Sequence, residues 1–173
     1  MKKILMVLSE NNFRDCEYLV PRAFFEQSGY KIRTVSTNYL STGKFGFKVD
    51  NDYTFETDLE ELKEFDVLFF VGGLGSLEFS DNSSIKDLTK NFFYSNKLIC
   101  AVCAAPRLLL GWKFLEGISC TGSDYDGNFD KLCRKFKSIR LKKNVVIDRN
   151  IITCVGPSAL EEFSLEISKF LKY

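Results

Sequence analysis

The chain has 173 residues, 45% of them hydrophobic and 27% charged, with 24 basic residues against 23 acidic and no histidine. That is enough chain and apolar content for one compact unit with a buried core, and it excludes a disordered or fibrous polymer. The net charge is +1 and the densest basic run, 134–143, reads as a solvated face, so no nucleic-acid partner is expected; no apolar run reaches the roughly 18 residues of a membrane span, so no membrane partner is expected and the expected location is cytoplasmic.

In chain order, ILMVL (4–8) reads as the first strand, followed by a helix over 15–28 that Gly29 closes. KIRTVS (31–36) is the second strand, and KFGFKVDNDYTF (44–55) reads as a hairpin on the sheet edge. A short helix near 58–63 leads to the strand VLFFV (67–71), a helix over 84–95 to the strand LICAV (98–102), and Pro106 starts a helix over 106–112. VVI (145–147) and IITCV (151–155), joined by Asp148-Arg149-Asn150, read as an antiparallel hairpin. The last helix, about 158–172, opens on Ser158-x-x-Glu161, which has capping-box spacing. The first four strands are continuous apolar runs, as expected where both faces are covered, and their alternation with helices predicts an α/β fold with a mostly parallel sheet. Such sheets bind ligands beyond the carboxyl ends of their strands. That directs attention to the turns Ser9–Glu17, Gly72-Gly73-Leu74-Gly75 and Cys103-Ala104-Ala105-Pro106.

The six cysteines, Cys16, Cys100, Cys103, Cys120, Cys133 and Cys154, lack a secretory context and are expected as free thiols. Cys100 and Cys103 form a C-x-x-C, but no second pair and no histidine completes four zinc ligands, so no metal is expected. Cys100 lies inside a strand rather than at a helix start, and is expected to be a packing residue. The Gly72–Gly75 turn matches neither dinucleotide nor P-loop spacing, so no cofactor is expected either.

Cys103 sits on a strand-to-helix bend among small residues, Ala101, Ala104 and Ala105, which is what a nucleophile elbow requires. A helix start favours an anion, so Cys103 is expected to be substantially thiolate at neutral pH. A buried cysteine that merely fills a tight turn is the alternative. The backbone amides of Gly73 and Ala104 could form an oxyanion or anion pocket, although Gly73 also suits an ordinary tight turn. Glu17, in the first turn of its helix, is either a partner for the helix dipole or an inward acid. If inward, two adjacent anions cannot coexist cheaply, so its pKa rises or the thiol stays protonated. Arg107 is expected to point outward.

Together, ILMVLSENNFRDCEYLVP, DVLFFVGGLGSLE, LICAVCAAPRLLL and VVIDRNIITCVGPSALEEFSLEI resemble the PfpI/ThiJ-like family, which includes the parkinsonism-associated deglycase and PfpI-type intracellular proteases. The resemblance implies one domain over 1–173, a flavodoxin-like three-layer sandwich with helices on both faces, and a homodimer. It also implies that Cys103 is the elbow nucleophile, Glu17 its acidic partner, and Gly73 with Ala104 the amide pair. Members of the family place a histidine after the cysteine or in a following loop; here those places hold Ala104 and about Ser123. A chain without histidine cannot form a Cys-His dyad even by borrowing from an identical subunit, so a protease is not expected. The resulting expectation is a redox-sensing stress-response protein in which peroxide oxidises Cys103 to sulfenic and sulfinic acid. The alternative is a glyoxalase or deglycase acting on small reactive aldehydes through Cys103 and Glu17, and a dimeric binding module is a third reading.

Overall fold

The structure is a computed structural model that describes residues 1–56 and 59–172. Its strands and helices are β1 (Lys3–Val7), β2 (Asn11–Phe13), α1 (Asp15–Gln27), β3 (Lys31–Ser36), β4 (Leu40–Gly43), β5 (Lys48–Asp50), β6 (Tyr53–Thr54), α2 (Leu59–Leu62), β7 (Val67–Phe70), α3 (Ser83–Tyr94), β8 (Leu98–Val102), α4 (Pro106–Gly111), β9 (Ser119–Cys120), α5 (Phe129–Lys135), β10 (Ile139–Arg140), β11 (Val145–Asp148), β12 (Ile151–Cys154) and α6 (Leu160–Leu171). The main sheet runs β11-β12-β8-β7-β1-β3-β6, parallel throughout except for the β11–β12 hairpin.

Alternate residues of each central strand feed opposite cores, which is why the strands read as unbroken apolar runs. Leu5, Leu68, Phe70, Ile99 and Ala101 pack on one face with Leu88 and Phe92 of α3, Leu109 of α4 and Phe129 of α5. Ile4, Met6, Phe69, Leu98 and Cys100 pack on the other with Phe25 of α1 and Phe163 of α6. The Phe69 ring stands 6.1 Å from Phe25 and 5.4 Å from Phe163. Burying each such ring contributes about 2–3 kcal/mol, so the α1 and α6 layer is anchored by aromatic packing. Cys100, fully buried, is the packing residue expected.

Several expectations change. The hairpin expected over 44–55 is built from β4 and β5, starts at Leu40, and joins β2 in a separate three-stranded sheet; only β6 reaches the main sheet edge. The helix expected near 58–63 is observed as α2, residue 58 lying outside the described residues. Ser158 does not cap α6: Pro157–Ala159 forms a 3-10 turn and the helix begins after it, with no side-chain cap. Helix α5 is not among the expected elements; it meets the basic run only at Arg134 and Lys135, and its buried side is limited to Phe129 and Cys133. The strands β2, β9 and β10, at two or three residues each, are too short to register as periodic patterns. No described helix is long and apolar enough to cross a membrane.

Candidate active site around Cys103

Strand β8 carries the chain to the carboxyl edge of the sheet between its neighbours β7 and β12, and Cys103 is the first residue beyond it. Its φ is +63°, a left-handed conformation that costs a non-glycine residue about 1–3 kcal/mol and persists only when held from outside. Two hydrogen bonds hold it. The Cys103 amide donates to the Cys154 carbonyl at 3.0 Å, and the Ser123 amide donates to the Cys103 carbonyl at 2.7 Å. Pro106 opens α4 at its first turn, where a missing N–H is harmless.

The β7 turn supplies the second wall. A Cβ on Gly72 would clash with Glu17 Oε2 and come within 2.5 Å of the Val102 carbonyl oxygen, so glycine is needed for the acid to approach the elbow. Gly73 has φ +99°, and a Cβ there would lie 2.5 Å from the Asn12 carbonyl oxygen. The Gly73 amide faces the Cys103 sulfur. Ala104 lines the same cleft, and among the described residues its amide donates to no carbonyl. Gly72→Ala is expected to lower stability by about 1–3 kcal/mol through this crowding, measurable as a fall in the urea midpoint at unchanged m-value. An unchanged midpoint would mean that Glu17 does not occupy this place.

Glu17, fully buried in α1, reaches inward beside the thiol. Burial pushes its carboxyl up to about 7, against the Cys103 thiol, the Arg14 guanidinium and the Gly72 amide, which pull it down. These neighbours act on its ionisation although neither carboxyl oxygen has a partner at full hydrogen-bond geometry, which accords with a group whose charged form is poorly solvated. Burial first, then the Glu17 charge and hydrogen bond, push the Cys103 thiol up to about 11, against the Gly73 amide and the Ser123 hydroxyl. The expected neutral-pH thiolate is therefore corrected. The sulfur is 7% exposed as part of its residue and faces an acid, and the start of a six-residue helix does not outweigh desolvation and a neighbouring negative charge. With the carboxyl raised to about 7 and the thiol to about 11, between those values the carboxyl is ionised and the proton stays on sulfur.

The predicted group of Cys103, Glu17, Gly73 and Ala104 thus meets in one place, and Ser123 stands where its sequence position suggested. Arg107 does not point outward. Its side chain is 9% exposed, pairs with Asp126 at 2.7 Å and 3.0 Å, donates to the Ser123 carbonyl at 3.1 Å, and lies 4.4 Å over the Tyr125 ring. It fastens the loop that carries Ser123. All six cysteines are free thiols; Cys154 turns its sulfur toward the Gly156 and Ala159 carbonyls. Among the described residues no group of three or more Cys, Asp or Glu could hold a metal.

Above the sulfur lies a cleft of about 430 Å³, lined also by Asn12, Arg14, Lys44, Leu74 and Tyr125. Asn12, Arg14 and Leu74 lie in turns that the sequence singles out, and Tyr125 lies near Ser123, but sequence reasoning assigns none of them a binding role and does not single out Lys44 at all. Arg14 lies in the same turn as Glu17 and could have been noticed there. Lys44 and Tyr125 reach the site only through long-range folding.

The DJ-1/PfpI family model matches residues 2–170. An uncharacterised protein of Methanocaldococcus jannaschii is 32% identical over 98% of this chain and 82% of its own. Deglycase PfpI of Pyrococcus furiosus is 27% identical over 97% of this chain and 99% of its own. Among solved structures, a ThiJ/PfpI domain protein from Brachyspira murdochii superposes with a TM-score of 0.88 at 30% identity, over 98% of this chain and 96% of that one. The three-layer flavodoxin-like sandwich is the fold they share.

Proposed function

The chain belongs to the DJ-1/PfpI family, and from that premise we propose a stress-response role of the deglycase kind, in which Cys103 adds to the carbonyl carbon of small reactive aldehydes and Glu17 moves the proton. The observation that carries this reading is a strained, cleft-facing thiol set beside a fully buried carboxyl at the Gly72 turn. Histidine is not needed for such an addition. Glu17, ionised above about 7, takes the thiol proton as the sulfur–carbon bond forms. The carbonyl π pair moves to oxygen, where the Gly73 and Ala104 amides can meet the developing charge, and Glu17 returns the proton to give a neutral hemithioacetal. The similarity to deglycase PfpI supports the same class of chemistry.

Peptide cleavage is not part of this reading, because a chain without histidine cannot form a Cys-His dyad. Oxidation sensing is a second reading. It is favoured by the Gly73 amide and Ser123 hydroxyl that face the sulfur, which would stabilise an oxidised, anionic sulfur.

The test is protection of the thiol. Protein preincubated with methylglyoxal and then treated with iodoacetamide should show alkylation suppressed at Cys103 ahead of the other five cysteines, as read by peptide mass spectrometry. Equal labelling of Cys103 with and without the aldehyde would rule out the carbonyl reading. In a parallel arm, mild peroxide should place two oxygens on Cys103 if the sensing reading holds; uniform oxidation of all six thiols would end it.

A further inference from the structure

The cleft over Cys103 holds more positive charge than aldehyde addition uses. Arg14, between β2 and α1, and Lys44, in the turn between β4 and β5, both line it, and no acidic side chain does. Their placement is built into the fold. The Lys44 amide donates to the Phe13 carbonyl at 2.8 Å. The buried Asp15 carboxylate accepts from the Phe45 and Phe47 amides, each at 3.0 Å, so it clamps the Lys44 turn while its own oxygens are taken up by backbone. Gly43 makes room for that clamp, since a Cβ there would fall 2.5 Å from Asp15 Oδ1.

Among the described residues neither Arg14 nor Lys44 forms an ion pair. Arg14 Nε is buried and has no hydrogen-bond partner. The Arg14 charge already acts on Glu17, but its unpaired buried donor beside the reactive thiol is open to an anionic ligand. The two cations outweigh the single negative charge of the Glu17–Cys103 pair, leaving the site with a surplus of one positive charge. Asn12 and the Tyr125 ring complete the rim.

We propose that this cleft takes small aldehydes that carry a carboxylate, with Cys103 holding the carbonyl carbon and Arg14 with Lys44 holding the carboxylate. This rests on the carbonyl chemistry proposed above and names its substrate class. In the bound adduct the sulfur–carbon bond forms, the carbonyl π pair moves to oxygen, and the thiol proton passes through Glu17 to that oxygen. The carboxylate keeps its charge and nothing leaves.

The experiment compares alkylation of Cys103 by iodoacetate, an anion, with that by neutral iodoacetamide. The ratio of the two rates cancels the thiolate fraction, so the influence of Arg14 on Glu17 drops out, and no turnover is needed. Relative to free glutathione, the ratio at Cys103 should be raised about fivefold, and Lys44→Gln or Arg14→Gln should each lower it about fivefold, the size of one nearby solvated charge. Added salt should shrink it. Lys44 is exposed, so Lys44→Gln leaves the fold intact even if Arg14→Gln does not. A glutathione-like ratio in the wild type, or one that Lys44→Gln leaves unchanged, overturns the proposal.

Glyoxylate should then protect Cys103 at lower concentration than methylglyoxal, and the reverse order also overturns it. If iodoacetate is preferred but neither aldehyde protects, the carbonyl chemistry has failed and the substrate class falls with it.

Discussion

Cys103→Ala is expected to abolish aldehyde capture, lowering the rate of methylglyoxal loss by at least about 10³-fold, because no other described thiol shares the cleft with a proton-carrying acid. The fold should survive, since alanine retains the β-carbon packing and Ala104 and Ala105 already fill the bend. The backbone strain at φ +63° should remain as well, because alanine is no freer than cysteine there. Cys103→Gly should relieve it, and the glycine variant is expected to be as stable as the alanine variant or more so. Loss of the thiol also removes the hydrogen bond that lowers the Glu17 pKa, so the carboxyl should titrate above the wild-type value of about 7. Following methylglyoxal loss with purified variants decides the matter: wild-type rates in Cys103→Ala would remove Cys103 from the chemistry.

Glu17→Gln is expected to separate reactivity from stability. Without its proton carrier, aldehyde addition to Cys103 should slow about 10²–10⁴-fold. Simple alkylation should move the other way. The Glu17 charge is one of the causes that raise the Cys103 thiol, so its removal brings the thiol pKa down from about 11 and quickens iodoacetamide labelling at pH 8. A variant that labels faster yet adds aldehyde more slowly identifies a proton-transfer role, which lost packing alone would not produce.

The stability effect has a definite sign. The Glu17 pKa rises from 4.5 to about 7 on folding, so between those values the folded chain binds more protons than the unfolded one. Stability therefore declines as pH rises from about 4.5 to 7 and levels off above, by about 3 kcal/mol at most. Glu17→Gln, with nothing to ionise, should lack that decline. The difference between wild-type and variant urea midpoints should grow in favour of the variant through this window and then stay constant. A difference independent of pH would show that Glu17 is not buried next to the thiol.

How far the sequence led differs from element to element. The central strands and α3 were readable because apolar runs and helical spacing are local signals, and covered parallel strands have no polar face to confuse them. The 44–55 segment misled because a hairpin pattern states that two strands pair, not which sheet they join. Ser158 misled because capping-box spacing says nothing of Gly156-Pro157, which hold the chain in a 3-10 turn before α6. At the site, Cys103 was legible from its small neighbours and following proline. Its ionisation was not, because a helix start argues for a thiolate and only burial against Glu17 reverses that argument.

The sequence alone determined the order of strands and helices, the thiol on the bend, and the absence of a histidine anywhere in the chain. These are local or compositional properties, and the last excludes a Cys-His dyad whatever the fold. Tertiary structure decided the rest: that Glu17 turns inward under Gly72, that Arg107 fastens the Ser123 loop instead of facing solvent, and that Lys44 stands with Arg14 over Cys103. Residues 14, 44, 103 and 125 meet because the small β2-β4-β5 sheet and the loop after β9 close over the carboxyl end of β8, and the charge they create there depends on burial and distance, which no local pattern encodes.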